Sequence, residues 1–133
     1  MKFNVNQKDL QSSLNYCQGV IEKRSTLPIL SNVLLEAKNE NLKITATDLD
    51  LIFIQNISNI EISEEGETTT SCSIMYDIVR KFNNEKKINF NLVNENKINL
   101  ESDNSSFNLN CLKASEFPIT EENFKDNEFT INS

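Results

Sequence analysis

Apolar and polar positions alternate along most of this chain, and twice the period lengthens from two to between three and four. Lys2-Phe3-Asn4-Val5-Asn6 alternates and predicts a short strand. Leu10, Leu14, Cys17 and Ile21 then form one apolar stripe of a helix of about four turns. Asn6 can cap this helix, with Asp9 at its third position, and Gly19 is read as its stop. Its other side, Lys8, Gln11, Ser12, Asn15 and Gln18, is polar, with almost no carboxylate apart from Asp9. After the Lys23–Thr26 loop, Pro28 opens an extended segment. Asn32 to Ala37 reads as a strand. Asn39-Glu40-Asn41 reads as a hairpin turn, because Asn tolerates positive φ. Leu42 to Thr47 alternates, with Lys43, Thr45 and Thr47 expected to face outward, and Leu49 to Ile57 reads as a further strand.

The second half repeats the order. Ser58 to Glu67 reads as a polar, acidic link, and the β-branched run Thr68-Thr69-Thr70 as a strand. Ser71 or Ser73 caps a second helix, whose apolar face (Ile74, Met75, Ile78, Val79, Phe82) is wider than one core needs. Arg80 and Lys81 fall in its last turn, where they suit the helix dipole. Three alternating strands follow, at Ile88–Leu92, Lys97–Glu101 and Phe107–Cys111. Strand, helix, three strands thus occurs twice, and Asn94-Glu95-Asn96 repeats the first hairpin turn. The expected fold class is α+β: a duplicated strand-helix-three-strand unit with two helices on one face of antiparallel sheets. Glu116-Phe117-Pro118 closes the second unit, giving a domain over residues 1–118 and a linker over 119–127. Residues 128–133 alternate again and are expected to be the first strand of a second domain that is otherwise absent.

Composition narrows the chemistry. The 133 residues contain no His, which removes His triads, His-ligated metals and His proton shuttles. Two glycines, Gly19 and Gly66, leave no glycine-rich phosphate loop. Cys17, Cys72 and Cys111 are widely spaced and form no C-x-x-C pair, so they read as buried thiols in a reducing compartment. No apolar run approaches the ~18 residues of a membrane span, and polar residues interrupt the N-terminus as no signal peptide would allow. A cytoplasmic protein without cofactor or membrane contact is expected.

The formal net charge of −7 is unevenly placed. Residues 1–60 hold six Lys/Arg and six Asp/Glu, whereas residues 61–133 hold seven and fourteen. An acidic body does not exclude a local basic face. Lys8 and Lys23-Arg24 belong to the first helix and its exit, Arg80 and Lys81 to the second, and duplication puts the helices on one side. Composition leaves two readings open for this face: scattered exposed cations, or a DNA-facing surface. Asp48 and Asp50 point the same way on a strand, but no third carboxylate supports a Mg²⁺ site, so they read as structural. Lys86-Lys87 reads as a solvated loop.

Arg24-Ser25-Thr26-Leu27-Pro28-Ile29-Leu30-Ser31-Asn32-Val33-Leu34-Leu35, followed by Leu42-Lys43-Ile44-Thr45-Ala46-Thr47-Asp48-Leu49-Asp50, closely resembles the bacterial DNA polymerase III β subunit family, the sliding clamps. Met1-Lys2-Phe3, Gly66 with Thr68-Thr69, Asp77-Ile78, Phe107-Asn108-Leu109 and Ala114-Ser115-Glu116-Phe117-Pro118 carry the likeness through the chain. The resemblance implies a DNA-clamp fold and a non-catalytic processivity factor of the replicative polymerase, with two protomers closed as a ring around double-stranded DNA. On it, Arg24 matches a DNA-contacting arginine, and Ser73 occupies another DNA-contacting position. Lys8, Ser12 and Arg80 are added to the DNA-binding set from helix geometry, and Lys23 as the neighbour of Arg24 at the helix exit. The implied head-to-tail contact with a second clamp protomer uses Phe107 and Leu109, flanked by Ile74, Ile78 and Phe82. Relatives carry basic residues beside that edge, where Asp103, Asn104, Ser105 and Ser106 offer none. The groove for polymerase and clamp-loader peptides lies mainly on later domains of the family, so this chain is expected to lack it. The rival reading is a β-rich protein–protein interaction module with no role on DNA.

Overall fold

A computed structural model describes residues 1–21, 31–47, 52–82, 85–102 and 105–117. The elements run β1 (Lys2–Asn6), α1 (Gln7–Ile21), β2 (Asn32–Lys38), β3 (Asn41–Thr47), β4 (Ile52–Ile57), β5 (Glu61–Glu64), β6 (Gly66–Ser71), α2 (Cys72–Val79), β7 (Lys87–Asn94), β8 (Lys97–Ser102) and β9 (Ser105–Leu112). A single 3₁₀ turn, Ala114–Glu116, follows, with Phe117 buried behind it.

All pairings are antiparallel, in the order β4-β3-β2-β6-β9-β8-β7-β1-β5. That order shows the duplication in space. Each half contributes a three-strand meander, β2-β3-β4 or β7-β8-β9. Each meander is flanked by the opening strand of the other half: β6 lies on β2, and β1 lies on β7. The halves therefore exchange strands and cannot fold independently. The two half-sheets, each a meander with its borrowed strand, meet at β6 and β9, where the register pairs Thr69 with Leu112 and Thr70 with Cys111.

The three threonines reinforce this joint with their side chains. Thr68 and Thr69 hydroxyls donate to the Leu112 carbonyl at 3.3 and 3.1 Å, and the Thr70 hydroxyl donates to the Asn110 carbonyl at 2.8 Å. All three threonines are buried. A buried hydroxyl is costly without a partner, so these bonds are what make a polar run tolerable here. Asn32 Nδ2 adds a bond to Thr69 Oγ1 at 3.1 Å.

One core lies between the helices and the sheet. Leu10, Leu14 and Cys17 of α1 meet Met75, Ile78 and Val79 of α2 and the inward residues of the strands, with Phe3 stacked on Phe90 at 4.7 Å. The predicted stripe of α1 thus packs inward, and the side chain of Ile21 lies outside the described residues.

Several local expectations change. The segment read as a link, Ser58 to Glu67, contains β5, which pairs with β1 at one edge of the sheet. Its edge position lets Glu61 and Glu64 coexist with strand pairing, and the acidity of the segment hid it. Helix α1 runs past Gly19 to Ile21. Gly19 has no positive φ, so no left-handed C-cap forms there. Ser71, not Ser73, caps α2, its hydroxyl accepting from the Ile74 N–H at 3.3 Å. Arg80 is the C-cap and Lys81 lies one residue beyond. Lys87 belongs to β7 rather than a loop, with Nζ 3.3 Å from Glu61. Thr45 and Thr47 face away from the core cluster as expected, yet both are buried. Thr45 sits between half-buried Ile54 and buried Leu34 on that face.

The two similar hairpin turns are built differently. Asn39 and Glu40 both take positive φ (52° and 62°), the requirement of a two-residue turn that matches strand twist. Glu40 is the costlier residue there, and its carbonyl is used by the Ile60 N–H at 3.0 Å. At the second turn no positive φ occurs. The Asn96 N–H instead donates to Asn94 Oδ1 at 2.8 Å, beside a register shift between Leu92 and Asn94.

The two glycines differ in what surrounds them. A Cβ on Gly66 would meet Met1 Cβ at 2.8 Å and Met1 Cα at 3.3 Å, whereas one on Gly19 meets nothing within 4 Å. Met1 cannot easily yield, because its carbonyl accepts from Leu92 N–H at 2.9 Å and its ammonium pairs with Glu64 at 3.2 Å. Gly66→Ala should therefore lower stability by about 1–3 kcal/mol, while Gly19→Ala, in a helix, should raise it by about 0.5–1 kcal/mol. Urea denaturation of the pair checks this; equal midpoints would show that Met1 does give way.

Candidate nucleic-acid interface

Helices α1 and α2 lie side by side and antiparallel. At one end Gln7, the first residue of α1, is buried, and its Nε2 donates to the Val79 carbonyl at the end of α2 (2.8 Å). At the other, Cys72 Sγ at the start of α2 approaches the Leu14 carbonyl at 3.8 Å. A third tie runs from the Tyr76 hydroxyl, which donates to Asn15 Oδ1 at 3.3 Å.

This pairing brings two exposed stripes together. On α1, Lys8, Ser12 and Asn15 recur at helical spacing and are all exposed. On α2, Ser73 and Arg80 are exposed and Tyr76 is half-buried, again at helical spacing. Four sequence-nominated residues, Lys8, Ser12, Ser73 and Arg80, therefore occupy adjoining stripes joined through Tyr76 and Asn15. Lys8 follows Gln7 and Arg80 follows Val79, so the two cations share one end of the pair. Lys23 and Arg24 lie outside the described residues, as do Asp48 and Asp50.

The face is lightly charged and its charges are screened. Arg80 Nη2 lies 3.3 Å from Asp77 Oδ1, with the guanidinium 5.3 Å from the Tyr76 ring centroid. Both partners of that ion pair are more than half exposed, so it adds little to stability and leaves Arg80 accessible. Asp9 accepts from Asn6 Nδ2 at 3.2 Å. The exposed glutamates of β5 sit at the sheet edge instead: Glu61 pairs with Lys87, and Glu64 with the N-terminal ammonium. The stripes can donate hydrogen bonds to phosphate oxygens, and they present no nucleophile paired with a base.

The five residues nominated for a protomer contact form two layers. Ile74 is 53% exposed and is the surplus apolar width of α2. Phe107 is half-buried and meets Phe82 edge-on at 5.6 Å. Leu109, Ile78 and Phe82 are buried inside the domain, beneath that surface. Phe107 and Leu109 lie opposite Leu100 and Ile98 of β8, so both point to the core side of the sheet. β9 pairs with β6 only near Leu112, so Ser105 to Leu109 pair on one side alone among the described residues.

Sequence reading missed Tyr76 and did not single out Asn15 within its polar face. The available signal was spacing: Tyr76 stands three residues after Ser73 and four before Arg80.

Among the described residues, no group of three or more His, Cys, Asp or Glu is placed to hold a metal ion. None of the three cysteines is in a disulfide, and all three are buried. Burial pushes the Cys17 thiol from 9.0 up to about 12. Burial also raises Cys111, against a smaller lowering by a hydrogen bond with Thr68. No helix among the described residues is long and apolar enough to cross a membrane.

Residues 1–121 match the family model described as "DNA polymerase III beta subunit, N-terminal domain". A "Beta sliding clamp" of Pseudomonas putida is 35% identical over 122 residues, 92% of this chain and 33% of the relative. The "Beta sliding clamp" of Escherichia coli (strain K12) is 32% identical over 131 residues, 98% of this chain and 36% of the relative. Among solved structures, the polymerase III beta of Caulobacter crescentus superposes with a TM-score of 0.83 at 33% identity, covering 91% of this chain and 32% of that one. The DNA polymerase III subunit beta of Pseudomonas aeruginosa superposes at 0.84 with 32% identity, covering 91% of this chain and 32% of that one. The chain spans about a third of the length of these relatives.

The thiol shift carries a pH dependence. The folded Cys17 value lies above the unfolded one, so its contribution is complete below pH 9.0 and is lost toward about 12 as the unfolded thiol ionises. Cys17→Ala should flatten the decline in stability across that window in denaturation profiles; an unchanged slope would mean the buried thiol ionises as freely as the unfolded one.

Proposed function

The chain belongs to the DNA polymerase III beta subunit family through that family's N-terminal domain, and on that premise we propose that it forms one segment of a sliding clamp. In this reading two protomers close as a ring around double-stranded DNA in the cytoplasm, and the ring tethers the replicative polymerase without catalysing a reaction. The clamp loader and the polymerase engage mostly residues beyond this domain.

The observation that carries the reading is the joined outer face of α1 and α2, which sets hydroxyls, amides and cations side by side on an otherwise acidic domain. A clamp must hold DNA and still slide. Contacts to phosphate oxygens serve this, because phosphates repeat along the duplex and carry no base identity. Ser12, Asn15 and Ser73 supply neutral donors, while Lys8 and Arg80 supply charge. Arg24 and Lys23 extend this set beyond the described residues.

The ring contact follows from the opposite flank of α2. Ile74 and Phe107 offer an apolar surface supported by Phe82, Ile78 and Leu109, and the partly unpaired side of β9 offers main-chain groups to a partner strand. Ser105 and Ser106 bring no charge to this edge. The dimer is therefore expected to depend little on salt.

Two measurements test these assignments. Arg24→Ala should weaken duplex DNA binding and lower the slope of log affinity against log salt by about one contact; unchanged binding removes Arg24 from the lining. In the full-length protein, Phe107→Ala and Ile74→Asp should each weaken the ring dimer about tenfold or more in sedimentation. Ile74 is exposed, so its variant leaves the core intact, and an unaltered dimer in Ile74→Asp would move the interface elsewhere.

A further inference from the structure

We propose that Tyr76 is the positioning residue of the helix-pair face, holding Asn15 and Arg80 so that both address the phosphate backbone of a duplex. The inference rests on the proposed DNA-facing role of that face. It goes beyond it in naming the device that organises the contacts.

Tyr76 touches both neighbours with different parts of its side chain. Its hydroxyl donates to Asn15 Oδ1 at 3.3 Å, which fixes the amide plane and leaves Asn15 Nδ2 as the outward donor. The Tyr76 ring lies 5.3 Å from the Arg80 guanidinium carbon, a cation–π distance. Arg80 stands one helical turn after Tyr76, so ring and guanidinium share a face. Asp77 holds the same guanidinium from the side, 3.3 Å away through Nη2. A guanidinium has five N–H donors, and one contact with an exposed carboxylate leaves the others for phosphate. Without the ring, Arg80 is a long, exposed side chain that must be ordered at each contact. Stacked, much of that ordering precedes DNA binding.

Asp77 gives this arrangement its second property. Its carboxylate opposes an approaching phosphate and offsets part of the Arg80 charge, which keeps the contact weak. A weak, preorganised contact is what a surface gliding along DNA requires. Asp77 thus acts as an attenuator, and Tyr76 as the support.

The test is fluorescence anisotropy of the 133-residue chain with short duplex DNA over a series of salt concentrations. Arg80→Ala should lower the salt slope by about one. Tyr76→Leu, which keeps bulk but removes ring and hydroxyl, should weaken binding severalfold. Tyr76→Phe keeps the ring, so it should retain the salt slope while losing part of the affinity. Asp77→Asn should strengthen binding and steepen the slope. Tyr76→Leu and Arg80→Ala should combine non-additively, since they disable one contact. A merely structural Tyr76 would shift thermal stability in Tyr76→Leu while leaving DNA affinity unchanged, and that outcome overturns the proposal. Binding that falls in Arg24→Ala but ignores Tyr76→Leu and Arg80→Ala overturns this inference while sparing the DNA-facing reading. No binding to duplex under any salt condition overturns both.

Discussion

The joint between β6 and β9 is the constraint on which the rest of this domain depends. Two register pairs and three threonine hydroxyls close a sheet that would otherwise be two separate meanders. Because β6 also lies on β2, and β1 lies on β7, neither half can complete its sheet without the other. The exchange makes folding cooperative across the duplication. It also fixes where the helices go, since α1 leaves β1 and α2 leaves β6, and each must turn back over the shared core.

From that geometry the helix pair follows. β1 and β6 occupy equivalent positions in the two halves, so the helices that leave them meet antiparallel on one side. Their apolar stripes are consumed by the core, with Leu10, Leu14 and Cys17 facing Met75, Ile78 and Val79. What remains outward is polar: Lys8, Ser12 and Asn15 beside Ser73, Tyr76 and Arg80. The helices are tied by their own polar groups, Gln7 to Val79 and Asn15 to Tyr76, so the outward face is stiff as well as polar. On the proposed clamp role such stiffness suits a ring lining, because a surface that must be reordered at each step would grip rather than slide.

Much of this was legible in the chain. The α1 stripe, the alternating strands and the duplicated order follow from side-chain period, which depends on local backbone geometry alone. Lys8, Ser12 and Arg80 were legible as candidates because helical spacing says which residues face outward, and Ser73 through the family likeness. Three things were not. The acidic segment around Glu61 to Glu64 looked like a link, since an edge strand needs only one pairing and can carry charge on its free side. Gly19 looked like a helix end, but a glycine ends a helix only when it takes the left-handed conformation. Ile74 was legible as surplus apolar surface, whereas the burial of Leu109, Ile78 and Phe82 beneath it was not, because depth depends on which strands cover which.

The chain by itself determined the period of each element, the twofold order, the lack of His, and a family likeness carried by the segment from Arg24 to Asp50. Those are properties of nearest neighbours and of residue type. Only the tertiary structure decided that β1 and β6 change partners, that Thr68 to Thr70 form a buried seam, and that Tyr76 reaches Asn15 across 61 residues of chain. Such contacts are set by packing between elements far apart in sequence, where no local period carries information about the partner.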